Sequence, residues 1–212
     1  MFARIARRRM RILVLALTAA LAIALVGAGL ASANTKKLKF DMVRSPGIVT
    51  AGCLPNATGT VTIRSLGPVE SLTLEVNGLA PNAEYDFFVI QVPNAPFGVS
   101  WYQGDIETDA HGHGYQRYIG RFNIETFAVA PNTAPAPVVH PDAPFPDASS
   151  NPPFAPVHMF HLGLWFNSPQ TATSVGCPGA TTPFNGDHTA GVQVLNTSNF
   201  ANDQGPLRQI VP

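Results

Sequence analysis

Beyond residue 33 the chain alternates between apolar and polar positions with the period of half-buried strands. In Val69 to Val76, Leu72, Leu74 and Val76 share one face, and Ser71, Thr73 and Glu75 share the other. Thr58 to Ser65 sets Val61 and Ile63 against Thr60, Thr62 and Arg64. Glu84 to Val92 is a more continuous apolar run, the pattern of a central strand covered on both sides. Val99 to Thr108, Tyr115 to Asn123, Val157 to Asn167 and Gly191 to Leu195 complete the predicted strands. No segment in this region repeats apolar residues at helical spacing over ten or more positions. At least seven strands in one domain predict an all-β fold, an antiparallel β-sandwich of the immunoglobulin or fibronectin III type.

One stretch breaks the pattern. Residues Val129 to Val157 hold nine prolines among alanine, serine and asparagine, with sparse apolar anchors such as Phe145 and Phe154. Proline cannot donate to a sheet ladder and stiffens the chain toward extended forms. The segment is expected to be a long proline-rich loop packed over the sandwich. Loops of that length are often functional, so it is a candidate binding surface, together with the turn at 109–114.

Between two predicted strands stands Leu79-Ala80-Pro81-Asn82-Ala83-Glu84-Tyr85. This resembles the tyrosine corner of fibronectin type III-like domains, in which proline turns the chain and the tyrosine hydroxyl bonds back to the backbone. The resemblance implies that Leu79, Pro81 and Tyr85 are structural corner residues.

The chain opens differently. Arg4, Arg7, Arg8, Arg9 and Arg11 precede an apolar run from Ile12 to Leu30, which closes on Ala31-Ser32-Ala33. A basic start, an apolar middle and small residues at the cleavage positions describe a secretory signal peptide over 1–33, leaving a single domain over 34–212. The competing expectation is an uncleaved anchor, since the apolar run approaches the ~20 residues that span a bilayer. Cleavage would leave no stable membrane insertion.

Composition follows from that division. All five arginines of the first segment are lost on cleavage, so eight basic residues face thirteen acidic ones, a net charge of −5. Lys36, Lys37 and Lys39 form the only basic knot in sequence and read as a solvated tail. Such a balance argues against nucleic acid as a partner. Cys53 and Cys177 are the sole cysteines, and in an exported chain an isolated pair predicts a disulfide.

Candidate chemistry is thin. Asp105, Glu107, Asp109, His111 and His113 would share one face of an extended strand, an attractive site for zinc or copper. Thr108-Asp109-Ala110-His111-Gly112-His113-Gly114 also has the composition of a hairpin turn, which breaks that face. The turn is the leading expectation and no cofactor is predicted. The alternative is a metal-binding protein or metalloenzyme using Asp109, His111 and His113. His158 and His161 diverge on a strand, so a joint role would require His140 or His188 from another segment. Glu84 and Asp86 read as markers of a strand edge. Trp101, Tyr102 and Trp165 are candidates for an aromatic surface, decided by their exposure. Nucleophile motifs such as Gly-x-Ser-x-Gly and His-Glu-x-x-His are absent. Asn56 and Asn196 head glycosylation triplets.

The segment Asn94 to Asp105, the His158 to Asn167 strand and Gly205-Pro206-Leu207-Arg208-Gln209 resemble a family of uncharacterised secreted proteins of high-GC Gram-positive bacteria. The resemblance implies secretion and a shared fold, and no activity. The expected function is therefore a non-enzymatic extracellular or cell-envelope domain acting in recognition or structure, its partner an extracellular protein or glycan. A metal-free secreted hydrolase, with a converging acid–base pair, is the second alternative.

Overall fold

In a computed structural model the chain forms two units, residues 1–35 and 36–212. The structure describes residues 37–128, 157–182 and 188–212, all in the second unit. The signal segment and nearly all of the proline-rich loop, with Phe145 and Phe154, therefore lie outside the described residues.

The fold is all-β and antiparallel. The main strands are β1 (Lys37–Arg44), β2 (Thr58–Ser65), β3 (Glu70–Asn77), β4 (Glu84–Ile90), β5 (Ser100–Glu107) and β6 (Gly114–Gly120). A minor pair, β7 (Phe127–Ala128) and β8 (Val157–His158), precedes β9 (His161–Phe166) and β10 (Gln193–Asn196). Eight strands make one sheet in the order β5-β4-β9-β10-β1-β2-β3-β6. The sheet curls into a sandwich-like, nearly closed form. Residues Lys37 to Met42 of β1 pair with β2, whereas Val43 and Arg44 pair with β10, so β1 passes from one layer to the other. At the open seam β5 and β6 approach through Tyr118, whose hydroxyl donates to the Asp105 carbonyl at 2.8 Å and whose ring stacks on Phe87 at 5.1 Å.

The alternation read from sequence sets the core. Val61, Ile63, Leu72, Leu74 and Val76 point inward and are fully buried, joined by Tyr85, Phe87, Leu164 and Phe166. Central β9 is buried along its whole length because covering segments close its outer side as well. This explains why its sequence is a nearly continuous apolar run. β1 corrects the expected solvated tail at Lys37 and Lys39: Phe40 and Met42 are buried, and their alternation with exposed Lys39 and Asp41 makes a strand. The predicted strand 157–167 is interrupted at Met159–Phe160, and the one at 115–123 stops at Gly120.

Two short helices carry the cystine. α1 (Pro46–Ala51) starts with proline and ends on Gly52 in the left-handed region; α2 (Pro169–Ser174) is capped by Ser168, whose hydroxyl accepts from the Thr171 N–H. Cys53 and Cys177 follow directly on these helices, and their N–H groups bond back to Ile48 and Ala172. The two sulfurs form the expected disulfide.

The corner between β3 and β4 has the expected internal bond. Buried Tyr85 accepts, at its hydroxyl, the Ala80 N–H at 2.9 Å. Leu79 is buried and Pro81 is exposed on the turn. Thr108 braces the same corner, its hydroxyl accepting from the Ala83 N–H and donating to the Ala80 carbonyl.

Candidate functional site

The β5–β6 connection is a turn. Asp109 Oδ1 accepts both the His111 and His113 N–H groups at 2.8 and 3.0 Å, and the Asp109 N–H donates to the His113 carbonyl. Gly112 has φ +73°, and a Cβ there would run into the Leu79 carbonyl oxygen. Glycine is thus required. His111 is exposed. The two ring nitrogens of His113 face different carboxylates, Nε2 toward Glu75 at 3.7 Å and Nδ1 toward Asp109 at 3.9 Å. Among the described residues no three His, Cys, Asp or Glu side chains group as metal ligands.

His161 is fully buried and structural in character. Its Nδ1 faces the Thr197 hydroxyl at 2.9 Å, and its Nε2 lies 3.1–3.2 Å from the Ala201 and Asn202 carbonyls. Carbonyls only accept, so Nε2 carries the proton, and Nδ1 accepts from Thr197. Burial holds the imidazole below its ordinary pKa. His158, by contrast, is exposed and stacks on Phe160.

A second set of ionisable groups lies on the outer face of β4 and β5. Cross-strand register sets Glu84 opposite Glu107 and Asp86 opposite Asp105. Like charges directly opposite each other weaken a strand pair. Asp86 is completely buried, which corrects the reading of Glu84 and Asp86 as edge markers: β4 pairs on both sides, with β5 and β9. His188 supplies the counter-group. Its Nε2 lies 3.2 and 3.3 Å from the two Asp86 oxygens and donates to them. Burial pushes the Asp86 carboxyl up to about 6, against the opposing pull of His188. Glu84 is raised too, first by burial and then by the charge of Asp105 and a hydrogen bond with it. Asn167 holds its other side, donating to Oε2 at 2.8 Å. The Tyr102 hydroxyl donates to Asp105 Oδ1 at 2.6 Å and is held protonated by burial and that carboxylate. The set can store protons and accept hydrogen bonds.

Exposure divides the aromatic candidates. Trp165 is 2% exposed and packs edge-on against Phe88 and Phe97, so it belongs to a small second core on the outer side of β4 and β9. Its Nε1–H is a buried donor with no hydrogen-bond partner among the described residues. Trp101 is 55% exposed and Tyr102 40%. They are neighbours on β5 and therefore project from opposite faces. Tyr102 joins Phe88 and the carboxylates, whereas Trp101 stands across from Val89 at the β5–β6 seam.

The sequence offered no sign of the Asp86–His188 meeting, because 102 residues separate the two. Of the glycosylation triplets, Asn196 is buried with its amide donating to the Pro93 carbonyl, and only Asn56 is exposed. No protein-family model matches the chain, and no curated protein matches it.

Proposed function

We propose that the protein is exported, cleaved after Ala33, and acts as a fibronectin III-like, disulfide-locked domain in extracellular or cell-envelope recognition, without catalysis. The resemblance to uncharacterised secreted proteins of high-GC Gram-positive bacteria supports the same setting. A disulfide between the only two cysteines is consistent with an extracellular location. No helix among the described residues is long and apolar enough to cross a membrane. The observation that carries the recognition reading is Trp101, more than half exposed on an end strand of the main sheet. Tryptophan in that position offers a large contact area at low ordering cost.

The test has two parts. N-terminal sequencing of protein from the medium is expected to begin at Asn34; retention in cells with an intact start would sink the export reading. Purified protein is then sedimented with insoluble peptidoglycan, chitin and cellulose. The expected result is retention on at least one, weakened tenfold or more by Trp101→Ala at unchanged Tm. Equal behaviour of the two proteins on all three polymers would refute the role given to Trp101.

A hydrolase is the second reading, favoured by the Asp86–His188 pair beside Glu84 and Asp105. Turnover of an ester or glycoside substrate abolished by Asp86→Asn would establish it in place of the first.

A further inference from the structure

The register gathers positive charge that is scattered in the sequence. Eight basic residues follow residue 33, and four of them, Lys37, Lys39, Arg64 and Arg117, fall on one outer face of β1, β2, β3 and β6. Val61, Ile63, Leu72, Leu74 and Tyr118 point into the core, so the residues alternating with them point out. Lys37 stands opposite Arg64, and Arg64 opposite Ser71. One row further along, Lys39, Thr62, Thr73 and Arg117 run across all four strands in register. All four cations are exposed, and none forms an ion pair among the described residues. Arg117 donates its Nε–H to Ser71 Oγ at 2.7 Å.

The acidic groups of this face, Asp41 and Glu75, stand in the adjoining third row. Asp41 accepts from the Thr60 hydroxyl at 2.8 Å, and Glu75 faces His113. With strands about 4.8 Å apart and alternate residues about 7 Å apart, the cations span about 14 by 7 Å. Between them lie the half-buried hydroxyls of Thr62 and Thr73, while Ser71 is buried and bonded to Arg117. The large apolar side chains of the face, Tyr115 and Ile119, are confined to the outermost strand, β6.

We propose that this face binds an anionic polysaccharide, an extended polymer carrying carboxylates or sulfates, laid across β1 to β6. Charge complementarity selects the anion, because the four cations form no ion pair among the described residues. The central hydroxyls suit a hydroxyl-rich chain better than a lipid surface, which would call for apolar groups between the cations. The face is built on β1, β2, β3 and β6, whereas Trp101 and the Asp86 carboxylates belong to β5 and β4. Where the protein meets such a polymer rests on the export reading; whether it binds does not.

The test uses the full chain, purified from whichever fraction holds it, with heparin, polygalacturonate and neutral dextran as probes. Binding to both charged polymers and not to dextran is expected, weakening as sodium chloride is raised. The combined substitution Lys39→Gln, Arg64→Gln and Arg117→Gln should weaken binding at least tenfold at unchanged Tm. Arg64→Lys with Arg117→Lys should retain most of it, and Arg208→Gln, elsewhere on the surface, all of it. Undiminished binding by the triple variant would overturn the proposal. So would binding to anionic phosphatidylglycerol vesicles in preference to the polymers, or salt-sensitive self-association without polymer binding. Failure of export shows in N-terminal sequencing and leaves these affinities unmoved.

Discussion

Replacing Asp86 by asparagine isolates the cost of burying one carboxylate. The side chain is fully enclosed on central β4, opposite Asp105, with His188 as its counter-group. Its carboxyl keeps the proton up to about 6 where an ordinary aspartate gives it up near 3.8. That difference corresponds to about 3 kcal/mol. The sign is fixed by linkage. A group whose folded pKa is raised contributes stability that is complete below 3.8 and is lost as pH rises through about 6. Asparagine keeps the shape and cannot ionise. The stability of the wild type minus that of Asp86→Asn should therefore fall by about 3 kcal/mol between about pH 3.5 and about pH 8. Urea unfolding of both proteins across that range measures the difference directly; groups remote from Asp86 cancel in the subtraction, whereas His188, Glu84 and Asp105, which share its field, contribute to it. His188→Ala removes the group that restrains the rise, so in that background the fall should centre at higher pH. A difference that stays flat with pH, or one that grows toward high pH, would refute the reasoning about burial.

Three further outcomes are expected. Tyr85→Phe leaves the buried Ala80 N–H without its acceptor and should cost about 1–3 kcal/mol in urea unfolding; an unchanged midpoint would remove the corner's structural role. Replacing Cys53 and Cys177 by serine opens a closed loop with a sequence separation of 124. Chain entropy sets the loss at about 5 kcal/mol, read as a lowered urea midpoint that reductant no longer changes. For His161, held neutral by burial, the contribution to stability is present above its ordinary value of 6.5 and lost as pH falls below it. His161→Gln should flatten that acid loss, and an unaltered acid limb in the variant would count against it.

The strands of the central sheet were legible because their inner faces are uniformly apolar: Leu72, Leu74 and Val76, or Val61 and Ile63, leave no other reading. The tyrosine corner and the disulfide were legible for local reasons, one a short motif and the other the absence of any alternative cysteine. β1 was missed because Lys37 and Lys39 dominate its first half and its inward residues are few. The short helices are six residues each, below the length at which helical periodicity can show. The carboxylate face escaped for a different reason. Glu84 and Asp86 become neighbours of Asp105 and Glu107 only through strand pairing, and His188 arrives from a covering segment. The cations of the opposite layer share that cause, because Lys39 and Arg117 meet on a face only once β2 and β3 stand between them. What pairing creates, a linear pattern cannot announce.

The disulfide has a consequence for how damage to this molecule would look. Cys53 and Cys177 enclose six complete strands of the main sheet, from β2 through β9, and the whole proline-rich segment between its flanks β7 and β8. A protease that severs the backbone anywhere between the two cysteines releases nothing. Both fragments stay covalently joined, and β9, from the later fragment, stays hydrogen-bonded to β4, from the earlier one, whenever the cut falls between those strands. On a non-reducing gel the nicked protein would migrate as a single species, and only reductant would reveal two pieces.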